Sequence, residues 1–232
     1  MTEPDTDDRG IVVVDDNGPS PTCVIAFAAL YHPTGLQPAE LLEVSAGLPA
    51  MRIVARDLEQ AWYQRGIRDL GDDVASTVTA LRALLDARGI TRTVCFGNSA
   101  GGYAALQYGS LLEAHAVHAF ATQTNMNHSF YEEHNLHAGL AIYPKHLREP
   151  VHTLWASVDG KRVLDLRPVV EQTSVPVHLY YSTGNYVDTC HAEHLAGLPN
   201  VTLHGREGNA HALARIMRDS GELRQILSAS IA

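Results

Sequence analysis

Short runs of consecutive apolar and β-branched residues recur along the chain, at Ile11–Asp15, Cys23–Ala29, Met51–Arg56, Arg92–Asn98, Ala116–Thr122, Val175–Ser182 and Val201–Glu207. Most are apolar throughout instead of alternating, which is the pattern of strands covered on both faces of a sheet. Segments of helical periodicity separate them: Gly71–Arg88, Ala100–Leu112, Asp188–Leu195, and His211 to the C-terminus. In the first of these Val74, Val78, Leu81, Leu84 and Leu85 fall at helical spacing, and Arg88-Gly89 supplies a stop. This alternation predicts an α/β fold, a mostly parallel sheet of about six to eight strands with helices on both faces.

Between Asn125 and Thr173 the rhythm breaks. No strand pattern is present, but histidines cluster between His128 and His146, with Tyr131, Tyr143 and Trp155 among them. A structureless loop of that length is improbable in a compact domain, so the segment is expected to be a helical cap over one end of the sheet. Residues 1–10 read as a disordered tail, and 11–232 as one domain carrying this insertion.

Composition narrows the function classes. The 232 residues carry 17 basic and 26 acidic side chains, a net charge of −9, without a basic run. Nucleic-acid and anionic-membrane binding need clustered Lys or Arg, so neither is expected. The N-terminal MTEPDTDDRG is acidic where a secretory signal is basic and then apolar, and no window has the roughly 18 apolar residues of a membrane span. Cys23, Cys95 and Cys190 are an odd count without CxxC spacing, as expected for reduced thiols in a cytoplasmic protein.

The strongest chemical signal is Gly97-Asn98-Ser99-Ala100-Gly101, set between a strand pattern ending at Asn98 and a helix pattern opening at Ala100. A nucleophilic serine needs a sharp, exposed strand-to-helix turn; flanking glycines admit neighbouring backbone, and the helix N-terminus favours developing negative charge. The bland counterpart is a Gly-rich turn that binds phosphate. With this motif the chain resembles the α/β-hydrolases from Cys23 to its C-terminus, Gly97–Gly101 matching the nucleophile elbow. The resemblance implies the order serine, acid, histidine. Asp188 follows the Pro176–Ser182 run, and His211 lies in the loop after Val201–Gly205, so both fall at strand C-termini on the edge expected for Ser99. Asp159 and Asp165 are weaker topological matches for the acid, and His204 falls within a strand, where packing is its expected role. His191 and His194, with Asp188 and Glu193, have a spacing that could serve a metal, but no HExxH or CxxC accompanies them.

The resemblance further implies an oxyanion hole from the backbone amides of Ala100 and of Leu30, the latter in Ala28-Ala29-Leu30-Tyr31-His32-Pro33, where Ala28-Ala29 replaces the family's usual His-Gly. Tyr31, Trp62, Tyr63 and Asn98 are candidate pocket residues, with core anchoring the alternative for Trp62 and Tyr63. The implied activity is hydrolysis of an ester or thioester through an acyl-Ser99 intermediate, on a small-molecule or carrier-bound acyl substrate and without cofactor or metal. An acyltransferase or cyclase using the same triad, or a non-catalytic binding protein on this fold, are the alternatives. Phe130, Leu136, Leu140 and Trp155 give the insertion enough apolar surface to close over an acyl chain, so it is expected either to gate the substrate or simply to dock on the sheet.

Overall fold

The computed structural model describes residues 9–15, 18–30, 35–137 and 162–232. The chain runs β1 (Ile11–Val14), β2 (Thr22–Phe27), α1 (Pro38–Ser45), β3 (Met51–Ala55), α2 (Val74–Ala87), β4 (Arg92–Asn98), α3 (Ala100–Leu111) and β5 (Ala116–Phe120). It continues with α4 (His128–Glu133), α5 (Arg167–Glu171), β6 (Val177–Ser182), α6 (Tyr186–His194), β7 (Val201–Arg206), α7 (Leu213–Asp219) and α8 (Glu222–Ile231). The strands form a seven-stranded sheet in the order β1-β3-β2-β4-β5-β6-β7. All neighbours pair parallel except β1, which runs antiparallel to β3 at one edge.

Successive side chains of a strand point to opposite faces, and here both faces are covered. Ile25, Phe27 and Ile53 pack with Val78, Leu81 and Leu85 of α2, Tyr103 of α3 and Val170 of α5. Val24, Ala26, Val54, Phe96 and Phe120 pack on the other side with Leu41 of α1, Met217 of α7 and Leu227 of α8. This two-sided burial is the physical reason for the continuously apolar strands. On the second face His118, His178 and His204 form a row across β5, β6 and β7. His118 stacks on His178 at 4.9 Å, His178 Nδ1 lies 3.1 Å from His204 Nε2, and His118 Nε2 lies 2.7 Å from Ser230 Oγ of α8. His204 is thus a packed residue, as its strand position implied.

The topology selects the site. After β2 the chain adds β3 on one side, then crosses to add β4 on the other, so the strand order reverses between β2 and β4. Parallel α/β sheets bind ligands in the crevice beyond the strand C-termini at such a reversal. The loop after β2 and the turn after β4 both open there.

Two elements differ from the sequence expectation. Helix α1 has no counterpart in the predicted set, although Gln37 and Glu40 form a reciprocal capping box around Pro38. The single helix expected after His211 is divided into α7 and α8 by Gly221, which adopts a left-handed φ of 79°. Of the insertion, residues 138–161 lie outside the described residues, as do 1–8 of the tail. The two ends of the insertion are joined to one another: Asn125 and Asp165 form an antiparallel bridge, Leu166 N–H donates to Thr124 O and Met126 N–H to Leu164 O. Phe130, Tyr131, Leu136, Leu166 and Val170 are all buried, so these flanks dock on the sheet. Among the described residues no helix is long and apolar enough to cross a membrane.

Candidate active site

Ser99 stands between β4 and α3 with φ 54° and ψ −123°, a left-handed conformation that a non-glycine residue adopts only when its surroundings enforce it. The enforcement is visible. Ser99 N–H donates to Phe120 O of β5, its carbonyl accepts from Tyr103 N–H, and the Thr122 hydroxyl also donates to that carbonyl. The glycines are required by close approach. A Cβ on Gly97 would sit 2.3 Å from Gly101 O, and one on Gly101 would sit 2.1 Å from Phe27 O. The second contact brings the first turn of α3 against the end of β2, so Ala100 and the loop containing Leu30 flank the same crevice.

His211 Nδ1 lies 2.8 Å from Asp188 Oδ1, and His211 Nε2 lies 3.1 Å from Ser99 Oγ. With the carboxylate accepting from Nδ1–H, Nε2 carries the lone pair facing the serine hydroxyl. The Asp188 side chain is 1% exposed and that of His211 11%, so the pair is shielded while Ser99 is half-buried at the opening. Asp188 Oδ2 is buried and has no hydrogen-bond partner among the described residues.

The segments that carry Asp188 and His211 are held in register by hydrogen bonds between them. Ser182 Oγ donates to Ala210 O (2.8 Å), Gly184 N–H to Gly208 O (2.7 Å) and Asn185 Nδ2 to Asn209 O (3.4 Å). Asn185 Oδ1 also accepts from Asp188 N–H, capping α6 and fixing its first turn. No sequence pattern marks Ser182 or the second contact of Asn185, because those partners are backbone groups more than twenty positions away.

The rival residues are engaged elsewhere. His191 is wholly buried one turn beyond Asp188; its Nδ1 accepts from Thr124 N–H at 3.3 Å, and it packs on Phe130. Burial holds its pKa down at about 3, so the ring stays neutral. His194 Nε2 bonds Asp165 Oδ1 at 2.8 Å. Asp188, His191 and His194 therefore face different partners, and the donor set considered for a metal is not assembled. Asp159 lies outside the described residues.

Of the two readings of Trp62 and Tyr63, core anchoring is the one observed. Tyr63 is fully buried, donating its hydroxyl to Ala28 O and Ala55 O and standing edge-on to Phe27, so it anchors the loops after β2 and β3. Trp62 is nearly buried and donates Nε1–H to Gln123 Oε1 at 3.3 Å. Both adopt left-handed φ in a turn whose amides, at Ala61 and Tyr63, are gathered by Asp57 Oδ2. That carboxyl is raised to about 6 by burial. Asn98 is also buried, and its Oδ1 accepts from Leu36 N–H at 3.0 Å. It ties the segment at Leu36 to the base of the elbow. Tyr31 lies outside the described residues.

Sheet order, elbow and helices on both faces are those of the α/β-hydrolase fold, and solved structures of that fold superpose over nearly the whole chain. No protein-family model matches the sequence, and no curated protein does so at a significant level. Among similar structures is the capsule O-acetyltransferase of Neisseria meningitidis serogroup A, with TM-score 0.62, 15% identity, 93% of this chain and 91% of that one covered. MenH of S. aureus has TM-score 0.58 and 15% identity, covering 96% and 97%. A carboxylesterase structure from Nitrososphaera gargenis has TM-score 0.57 and 12% identity, covering 95% and 94%.

Proposed function

We propose that this chain is a serine hydrolase that cleaves a carboxylic ester or thioester, small or carrier-bound, through an acyl-Ser99 intermediate. The reading rests on one observation, the continuous hydrogen-bonded chain from Ser99 Oγ through His211 to Asp188 at the sheet's order reversal. His211 Nε2 accepts the Ser99 proton as Oγ attacks the acyl carbon, and Asp188 stabilises the imidazolium that results. The amides of Ala100 and Leu30 donate to the developing oxyanion. His211 then gives its proton to the departing alcohol or thiol, and water repeats the sequence to release the acid. No cofactor enters this scheme, and the setting is the cytoplasm.

The likeness to an O-acetyltransferase, one structure of which is a complex with CoA, favours a second reading. There an acceptor hydroxyl takes the place of water. A chain-length series of p-nitrophenyl esters and acyl thioesters, with and without added alcohols, tests both. Hydrolysis predicts free acid irrespective of acceptor, whereas transfer predicts turnover that rises with the acceptor. A binding protein on this fold predicts turnover by neither route.

A further inference from the structure

Outside the Ser99 site, α4 and the turn after it gather a set of donors that the proposed hydrolysis does not use. His128 and Glu132 lie one helical turn apart, with His128 Nδ1 3.4 Å from Glu132 Oε2. Asn135, at a left-handed φ of 50°, turns the chain back, and His137 returns to the start of the helix. Its ring centroid is 5.2 Å from that of His128, tilted by 55°. One ligand atom from each of His128, Glu132 and His137 lies within 4.8 Å of the others.

We propose that His128, Glu132 and His137 form a binding site for a divalent transition-metal ion of the zinc class. Ligand atoms at about 2.0–2.1 Å from a tetrahedral zinc stand roughly 3.3 Å apart, so His128 and Glu132 already have the required separation. His137, whose ligand atom is within 4.8 Å of the other two, closes the set by a movement of at most about 1.5 Å. Two imidazoles and one carboxylate suit Zn²⁺, Co²⁺, Ni²⁺ or Cu²⁺, whereas Mg²⁺ and Ca²⁺ require all-oxygen shells. The backbone beneath the donors is fixed before any ion arrives. His134 N–H donates to Phe130 O, Asn135 N–H to Glu132 O and Leu136 N–H to Tyr131 O, while the Phe130, Tyr131 and Leu136 side chains are buried. His128 and Glu132 are exposed and His137 half-buried, so an ion can reach the donors.

Zinc titration of the full chain by calorimetry at pH 7.5, on the wild type and on His128→Ala, His137→Ala and Glu132→Gln, tests the site. The expected result is one high-affinity zinc per chain, weakened at least about 10-fold by each substitution. The exposed His115→Ala serves as control and is expected to bind as the wild type does. Cobalt-loaded protein is expected to show the visible absorption of a four-coordinate ion, and His137→Ala to lack it. Thermal melts without metal, matching the wild type, would show that the variants are folded. Absence of zinc binding by the wild type, or undiminished binding by the His128→Ala/His137→Ala double variant, would overturn the assignment.

Discussion

Acidification should destabilise this protein through its buried histidines, and His118 gives the cleanest test. Its ring is almost inaccessible on the sheet face under α8, bonded to Ser230 and stacked against His178, with Tyr180 and His204 alongside. Burial first, then the neighbouring His178 and His204, lower its pKa from 6.5 to about 3. Because the folded value is depressed, the unfolded chain binds a proton below pH 6.5 that the native state refuses until about pH 3. Stability is therefore lost as pH falls through that window. Between pH 7 and pH 5 the linkage amounts to about 2 kcal/mol for this one ring. Asp57 acts in the opposite sense, since its folded value is raised to about 6 and its burial penalty is relieved by acid. Comparing the wild type with His118→Gln at each pH cancels that contribution. Urea unfolding at pH 7 and pH 5 is the assay. The variant is expected to be the weaker protein at pH 7 and to recover about 2 kcal/mol relative to the wild type at pH 5. A stability difference unchanged within about 0.5 kcal/mol between the two pH values would refute the reasoning.

Further outcomes follow from the site. Ser99→Ala and His211→Ala should each lower turnover by at least about 10³-fold with unchanged melting, measured on the best p-nitrophenyl ester. Gly101→Ala forces a Cβ to within 2.1 Å of Phe27 O, a backbone atom that cannot rotate aside; chemical denaturation should show a loss of about 3 kcal/mol. Ser182→Ala removes the hydroxyl that holds Ala210 O beside His211, and kcat is expected to fall about 10-fold at constant KM through misplacement of the imidazole.

The strands were legible because a doubly covered parallel sheet demands continuously apolar runs, and the observed β2, β4 and β6 lie within the predicted Cys23–Ala29, Arg92–Asn98 and Val175–Ser182 to within a residue. Helix α1 escaped notice because eight residues (PAELLEVS) give only two turns of pattern; its signal was the capping residue pair Gln37 and Glu40. The positions of Ser99, Asp188 and His211 were readable because each follows the C-terminal end of a parallel strand, which brings them to one edge whatever the details of packing. Trp62 and Tyr63 were not, since an aromatic pair carries the same sequence signature in a pocket wall as in a core. Only the Ala28 and Ala55 carbonyls, at the ends of β2 and β3, decide for Tyr63. Ser182 and Asn98 act through backbone atoms of distant segments, and no local pattern encodes such a partner.

The proposed function requires Ser99 to be a nucleophile activated by His211. Incubation of the native protein with a fluorophosphonate, followed by peptide mass spectrometry, addresses it directly. One covalent adduct is expected on the peptide containing Ser99, absent from Ser99→Ala and slowed at least about 10³-fold in His211→Ala. An unlabelled native protein, or labelling that persists in Ser99→Ala, would contradict it.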